Sequence, residues 1–214
     1  VLNPCRQLEE QGVEVHYLDV DGLGRIDMDA LESQITESTA LISLQHANSE
    51  TGVLQNIKRA SEIARNKGIL FHTDAVQSVA KIPFDLKNYP VDLLSISAHK
   101  FYGPKGVGAL YLRKGTPALF SPLCGGNQEK KRRGGTENVA GIMGFGKACE
   151  LANENISETS KLADLRDYFL NRVCKLIPRT ELWGDKANRL PNTLNLGFDG
   201  VAGDTLLIAL DIEG

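Results

Sequence analysis

Lys100 is the residue best placed for covalent chemistry. It follows the apolar run 91–96 through Ser97-Ala98-His99 and leads into Phe101-Tyr102-Gly103-Pro104-Lys105-Gly106, a turn-forming string. A lysine at the mouth of a buried strand loses water, which disfavours its charged form. The neutral amine is the form that attacks an aldehyde to give a Schiff base. Ser97 and His99 fall on one side of an extended segment, where both can hydrogen-bond a phosphate. Taken alone, a lysine whose head snorkels to water explains the stretch more simply.

A second stretch adds weight. Asp74, in His72-Thr73-Asp74-Ala75-Val76-Gln77-Ser78, ends another apolar strand and would sit in a largely buried crevice. A buried carboxylate needs a cation beside it, and a protonated pyridine nitrogen is one. Gln77 is spaced to donate to an oxygen on the same ring. Asp74 reads equally well as the N-cap of a helix over 75–80. A third polar string, His46-Ala47-Asn48-Ser49-Glu50-Thr51-Gly52, follows the strand 39–44. All three lie where a parallel sheet opens its ligand crevice, beyond the carboxyl ends of its strands.

The elements that must position them alternate. The pattern predicts a helix over 2–11, a strand over 13–18, a turn at Asp21-Gly22-Leu23-Gly24 and a short helix over 27–34 capped by Asp27. Strands follow at 39–44, 69–73, 91–96 and 107–113, with an amphipathic helix over 57–67 closed by Gly68. Such alternation predicts an α/β fold with a mainly parallel sheet, covered by helices on both faces. From Glu137 onward the pattern is helical to about residue 176, with a polar break at 153–158. Short strands at 181–183 and 193–198 and a helix over 204–211 predict part of a smaller α+β C-terminal domain. The expected domains are 1–152 and 153–214. Val1 opens within a helix pattern and Gly214 closes one with no strand after it, so the expectation is a fragment truncated at both ends.

Composition is that of an ordinary soluble domain: 42% hydrophobic, 24% charged, net charge −3. The charge gives no sign of a nucleic-acid or membrane partner. No apolar run approaches the roughly 20 residues that span a bilayer, and no signal-peptide layout opens the chain. A cytoplasmic location is expected, or an organellar matrix if a transit peptide was removed. Cys5, Cys124, Cys149 and Cys174 are scattered without C-x-x-C or nearby histidine, so reduced thiols are expected and no metal site. Cys5, Cys149 and Cys174 are expected as small buried hydrophobes, and Cys124, in a polar loop, as structural. His16 and His46 read as structural residues. Lys130-Lys131-Arg132-Arg133 reads as a solvated loop near a phosphate.

The strings His72-Thr73-Asp74-Ala75-Val76-Gln77 and Ser97-Ala98-His99-Lys100-Phe101-Tyr102-Gly103-Pro104-Lys105-Gly106 closely resemble the NifS/IscS-type cysteine desulfurases. So do Arg133-Gly134-Gly135-Thr136-Glu137-Asn138 and Leu190-Pro191-Asn192-Thr193-Leu194-Asn195. These are class V aminotransferase-like enzymes of fold-type I that use pyridoxal 5'-phosphate (PLP). The resemblance spans nearly the whole chain. It implies that Lys100 carries PLP and shuttles protons, Asp74 pairs with the pyridine nitrogen, Gln77 with the phenolic oxygen, and Ser97 and His99 with the phosphate. Thr136 would reach the phosphate of the neighbouring subunit, which implies a homodimer. The implied reaction converts L-cysteine to L-alanine, with the sulfur passing as an enzyme persulfide to an acceptor protein for Fe–S cluster or thio-cofactor assembly.

The chain departs from that pattern at Ser49, which stands where the family usually has the asparagine that contacts the ring oxygen. The ring-stacking histidine is expected upstream of Val1. The persulfide-forming cysteine and the arginine that holds the substrate carboxylate are expected beyond Gly214, so residues 1–214 alone are expected to be inactive. A selenocysteine lyase or a class V aminotransferase is the nearest alternative. A non-catalytic paralogue acting as a scaffold is the alternative of another class, and the set Lys100, Asp74, Gln77 and His99 argues against it.

Overall fold

The computed structural model describes residues 2–121 and 123–214. A helix α1 (Leu2–Glu10) and a short helix α2 (Met28–Ser33) precede the first strand, β1 (Leu41–Gln45). Asp27 caps α2 as expected, its carboxylate accepting the Asp29 N–H. Helix α3 (Ile57–Asn66) then leads into β2 (Leu70–Asp74), and β3 (Leu93–Ser97) and β4 (Gly108–Leu112) complete the sheet in the order β1-β2-β3-β4. The first three strands run parallel and β4 pairs antiparallel with β3. The α/β, mainly parallel architecture is therefore present.

Helix α3 forms because its apolar residues share one face and its ends are defined. Asn56 accepts the Arg59 N–H at the start, and Gly68 takes a left-handed turn, φ +71°, just past the end. Its face of Ile57, Ala60, Ile63 and Ala64 packs with Leu31 of α2 on Ile42, Phe71 and Leu94 of the sheet. Phe71 is fully buried, which contributes about 2–3 kcal/mol of hydrophobic free energy.

The other face of the sheet differs from expectation. Pleating puts Leu41, Ser43, His72, Ser95 and Leu110 there, and Leu41 and Leu110 are 50% and 48% exposed. Among the described residues, helical cover is thus complete on one face only. The expected strand over 13–18 is also absent: the segment is irregular, with Val13 and Tyr17 half-exposed, because nothing described lies alongside to take its hydrogen bonds. Residues 76–81 form successive turns instead of a helix, and Ala80 takes a left-handed conformation at φ +67° that ends any helical run.

A short helical turn α4 (Gln128–Lys131), with Glu129 and Lys130 left-handed, precedes the long helix α5 (Val139–Asn155). Phe145 and Ala148 of α5 pack on Ala98 and Phe101, with the two phenyl rings 5.7 Å apart. The polar break appears as a 3₁₀ turn, Ile156–Glu158, before α6 (Thr159–Leu176). Strands β5 (Thr180–Leu182) and β6 (Leu196–Phe198) form a separate antiparallel pair, followed by α7 (Gly203–Glu213). The segment between them returns to the first sheet, where the Leu54 N–H donates to Asn188 and the Leu190 N–H to Gly52. Gly52, at φ +76°, has no room for a side chain: a Cβ would lie 2.8 Å from Thr193. All four cysteines are free, but Cys149 and Cys174 are exposed where burial was expected, because they lie on outward faces of α5 and α6.

Candidate active site

The carboxyl ends of β2 and β3 lie side by side. Asp74 is the register partner of Ser95, and the Ala75 N–H donates to the Ser95 carbonyl at 3.0 Å. Two residues beyond Ser95, on the same face by pleating, Ser97 ends β3 and starts a 3₁₀ turn, Ala98–Phe101, that carries His99 and Lys100. The Gly103 N–H closes this turn on the Ala98 carbonyl, and Tyr102 leaves it at φ +67° with its ring in solvent. The expected extended geometry for Ser97 and His99 is therefore replaced by a turn. The turn still joins them, with Ser97 Oγ 2.9 Å from His99 Nδ1.

Asp74 uses one oxygen locally. Oδ1 accepts the Val76 N–H at 3.0 Å, an Asx turn rather than a helix cap, and among the described residues Oδ2 has no partner. Behind it, His72 spans three strands, its Nδ1 2.8 Å from Ser43 Oγ and its Nε2 2.9 Å from Ser95 Oγ. Burial pushes the His72 imidazole down from its ordinary value, opposed by the nearby Asp74 charge. A neutral ring fits its setting: one nitrogen donates, the other accepts, and each serine hydroxyl takes the complementary role.

Gln77 is tied to Lys81, whose Nζ donates to Gln77 Oε1 at 2.8 Å. Burial, and after it the like charge of Lys100, lowers the Lys81 pKa. Lys100 itself is exposed, so the desolvation expected of it has no source among the described residues.

Other expected site residues stand apart from this group. Ser49 donates to its neighbour Glu50 at 3.0 Å in a loop organised by Asn48, whose Oδ1 accepts the N–H groups of Glu50 and Thr51. Thr136 is exposed on the loop before α5, and no described hydrogen bond joins it to Asp74, Ser97 or Lys100. Arg133 folds onto that loop, donating to the carbonyls of Gly134, Gly135 and Thr136. His46 is buried beside Phe84 and Tyr89, and burial pushes its pKa down to about 4. Sequence reasoning gave no role to His72 or Lys81. The four-residue spacing of Gln77 and Lys81 carried the only hint, and it is ambiguous outside a helix.

The donor set fits PLP. A carboxylate oxygen with no partner among the described residues suits a ring cation, an amide whose oxygen is taken by Lys81 has its N–H end for a ring oxygen, and a serine–histidine pair suits a phosphate.

The sequence matches the aminotransferase class-V family over residues 1–214, and the chain belongs to that family, whose members are PLP enzymes. It is 53% identical over 215 residues to a cysteine desulfurase IscS of Dictyoglomus turgidum, covering 100% of this chain and 54% of that relative. Among solved structures, a NifS-like protein superposes with a TM-score of 0.94 at 39% identity, covering 100% of this chain and 58% of that one. The structure of SspA in complex with cysteine gives a TM-score of 0.82 at 33% identity, covering 100% of this chain and 58% of that one. The chain spans about half the length of the curated relatives it matches. No described helix is long and apolar enough to cross a membrane.

Proposed function

We propose that the full-length protein is a PLP-dependent cysteine desulfurase, converting L-cysteine to L-alanine and passing the sulfur on through an enzyme persulfide. The observation that carries this reading is the pairing of β2 and β3, which sets Asp74 beside the turn of Ser97, His99 and Lys100. The cysteine desulfurase names of its relatives and the cysteine bound to SspA support the substrate. When bound, PLP supplies an electron sink for bonds broken at the substrate Cα and Cβ.

The chain's own residues have distinct tasks in this reading. Asp74 Oδ2 holds the ring nitrogen and keeps it protonated, and Gln77 Nε2 donates to the ring oxygen. Ser97 and His99 hold the phosphate. Lys100 would hold the cofactor through its Nζ and would move a proton at the substrate Cα. Thr136, exposed on its loop, is assigned to the phosphate of a second subunit, which makes the enzyme a homodimer. Sulfur acceptance is assigned to a thiol outside residues 1–214, because no described contact joins Cys5, Cys124, Cys149 or Cys174 to the Asp74 group. Ser49 is assigned to the ring oxygen after a rotation away from Glu50. A sulfur-acceptor protein and a reducing compartment, the cytoplasm or an organelle matrix, complete the reading, and four free cysteines accord with the latter.

The test is turnover of L-cysteine by the full-length protein. Alanine and sulfide formed together, and lost in Lys100→Ala and Asp74→Ala, are expected. Alanine formed from selenocysteine alone, or transamination without sulfide, would replace the reading with one of its neighbours.

A further inference from the structure

We infer that Lys81 is a positioning residue, fixing which end of the Gln77 amide faces the ring oxygen; the inference rests on the proposed function above. A glutamine amide presents a donor at one end and an acceptor at the other, whereas an ammonium only donates. With Lys81 Nζ 2.8 Å from Gln77 Oε1, the oxygen end is committed to the lysine. The opposite end is then the Nε2 donor. Turning the amide over would set two donors face to face in a part-buried site and leave both unpaired.

Lys81 is itself held by the chain around it. Ser78 is fully buried, its hydroxyl donates to the Ala75 carbonyl, and its own carbonyl accepts the Lys81 N–H. Ala80, at φ +67°, turns the backbone so that the lysine side chain returns toward Gln77. The direction of the Gln77 amide is therefore built into the turn from Asp74 to Lys81. A ring oxygen that carries negative charge needs a donor, and Lys81 ensures that it meets one. Lys81 touches neither substrate nor cofactor in this account and acts through Gln77.

The test is a double-mutant cycle in the full-length protein loaded with PLP, read by the pH midpoint of its visible absorption band. Without the donor, the ring oxygen keeps more negative charge and holds the neighbouring proton more tightly. Gln77→Leu and Lys81→Met are each expected to raise the midpoint by about one pH unit, the size of one hydrogen bond to a charged group. Lys81→Arg, which can still donate, is expected to restore the parent midpoint. In the Gln77→Leu background, Lys81→Met should add no further shift. If Lys81→Met does not fold, Lys81→Glu replaces it, because a carboxylate only accepts and so draws the Gln77 Nε2 end toward itself, and the same upward shift is expected. A Lys81→Met shift that persists without Gln77, or no shift while the cofactor stays bound, would overturn the inference. If Gln77→Leu alone leaves the midpoint unmoved, the ring-oxygen assignment and this inference fall together, while cysteine turnover still decides the proposed function. No visible band in the parent protein would remove the proposed function first.

Discussion

His72 and Ser95 are joined across the β2–β3 ladder, imidazole Nε2 to hydroxyl at 2.9 Å, and the other ring nitrogen reaches Ser43 on β1. One neutral ring therefore ties three parallel strands together two residues before Asp74. His72→Leu leaves two hydroxyls without that partner and is expected to lower stability by about 2 kcal/mol. Urea unfolding of the full-length protein at pH 7 measures this, and a change within error would show that the ring contributes nothing net.

Acid should weaken the fold through the same chemistry, more strongly at His46. Burial lowers its pKa from 6.5 to about 4, so the unfolded chain binds a proton that the folded chain refuses. The resulting stability is present above pH 6.5 and is lost as pH falls toward 4, by about 3 kcal/mol over that window. His72, shifted in the same direction, adds to the loss. His46→Phe keeps a ring against Phe84 and Tyr89 and removes the titration. Its stability between pH 7 and pH 4.5 is expected to fall less than the parent's; equal slopes would contradict the assignment.

Ala80 is strained for an alanine. Its left-handed φ of +67° favours glycine, although glycine gains entropy when unfolded. Ala80→Gly is expected to change stability by less than about 1 kcal/mol, whereas Ala80→Val destabilises by about 1–2 kcal/mol or more because a branched side chain resists this region. Thermal unfolding of both variants separates them, and equal midpoints would be evidence against the turn as described.

Ser49 is bonded to Glu50, and a serine has a shorter reach than the asparagine that the resemblance to cysteine desulfurases implies here. Ser49→Asn is expected to tighten PLP binding and shift the visible maximum of the full-length protein. No difference in affinity or maximum would remove Ser49 from the site.

Much of this arrangement was legible in the residues. Helix α3 could be read from its apolar spacing, Asn56 and Gly68, because those features are local. The positions of Asp74 and Lys100, at and just past the carboxyl ends of β2 and β3, could be read because each follows an apolar strand. The strand expected at 13–18 failed because alternation shows what a segment can do, and pairing needs a neighbour that local sequence does not supply. The alternative reading of Asp74 as the cap of a helix over 75–80 failed at Ala80, where the turn overrides a good helix former. Lys81 was missed because four-residue spacing by itself does not say which partner a lysine takes, and its contact with Gln77 is seen only in the folded turn.

The central claim is that Lys100, rather than the half-buried Lys81 beside it, carries the cofactor. Borohydride reduction of the PLP-loaded full-length protein, followed by peptide mass spectrometry, locates the attachment directly. The pyridoxyl mass is predicted on the peptide bearing Lys100, and its absence there together with its presence on Lys81 or any other lysine would contradict the account.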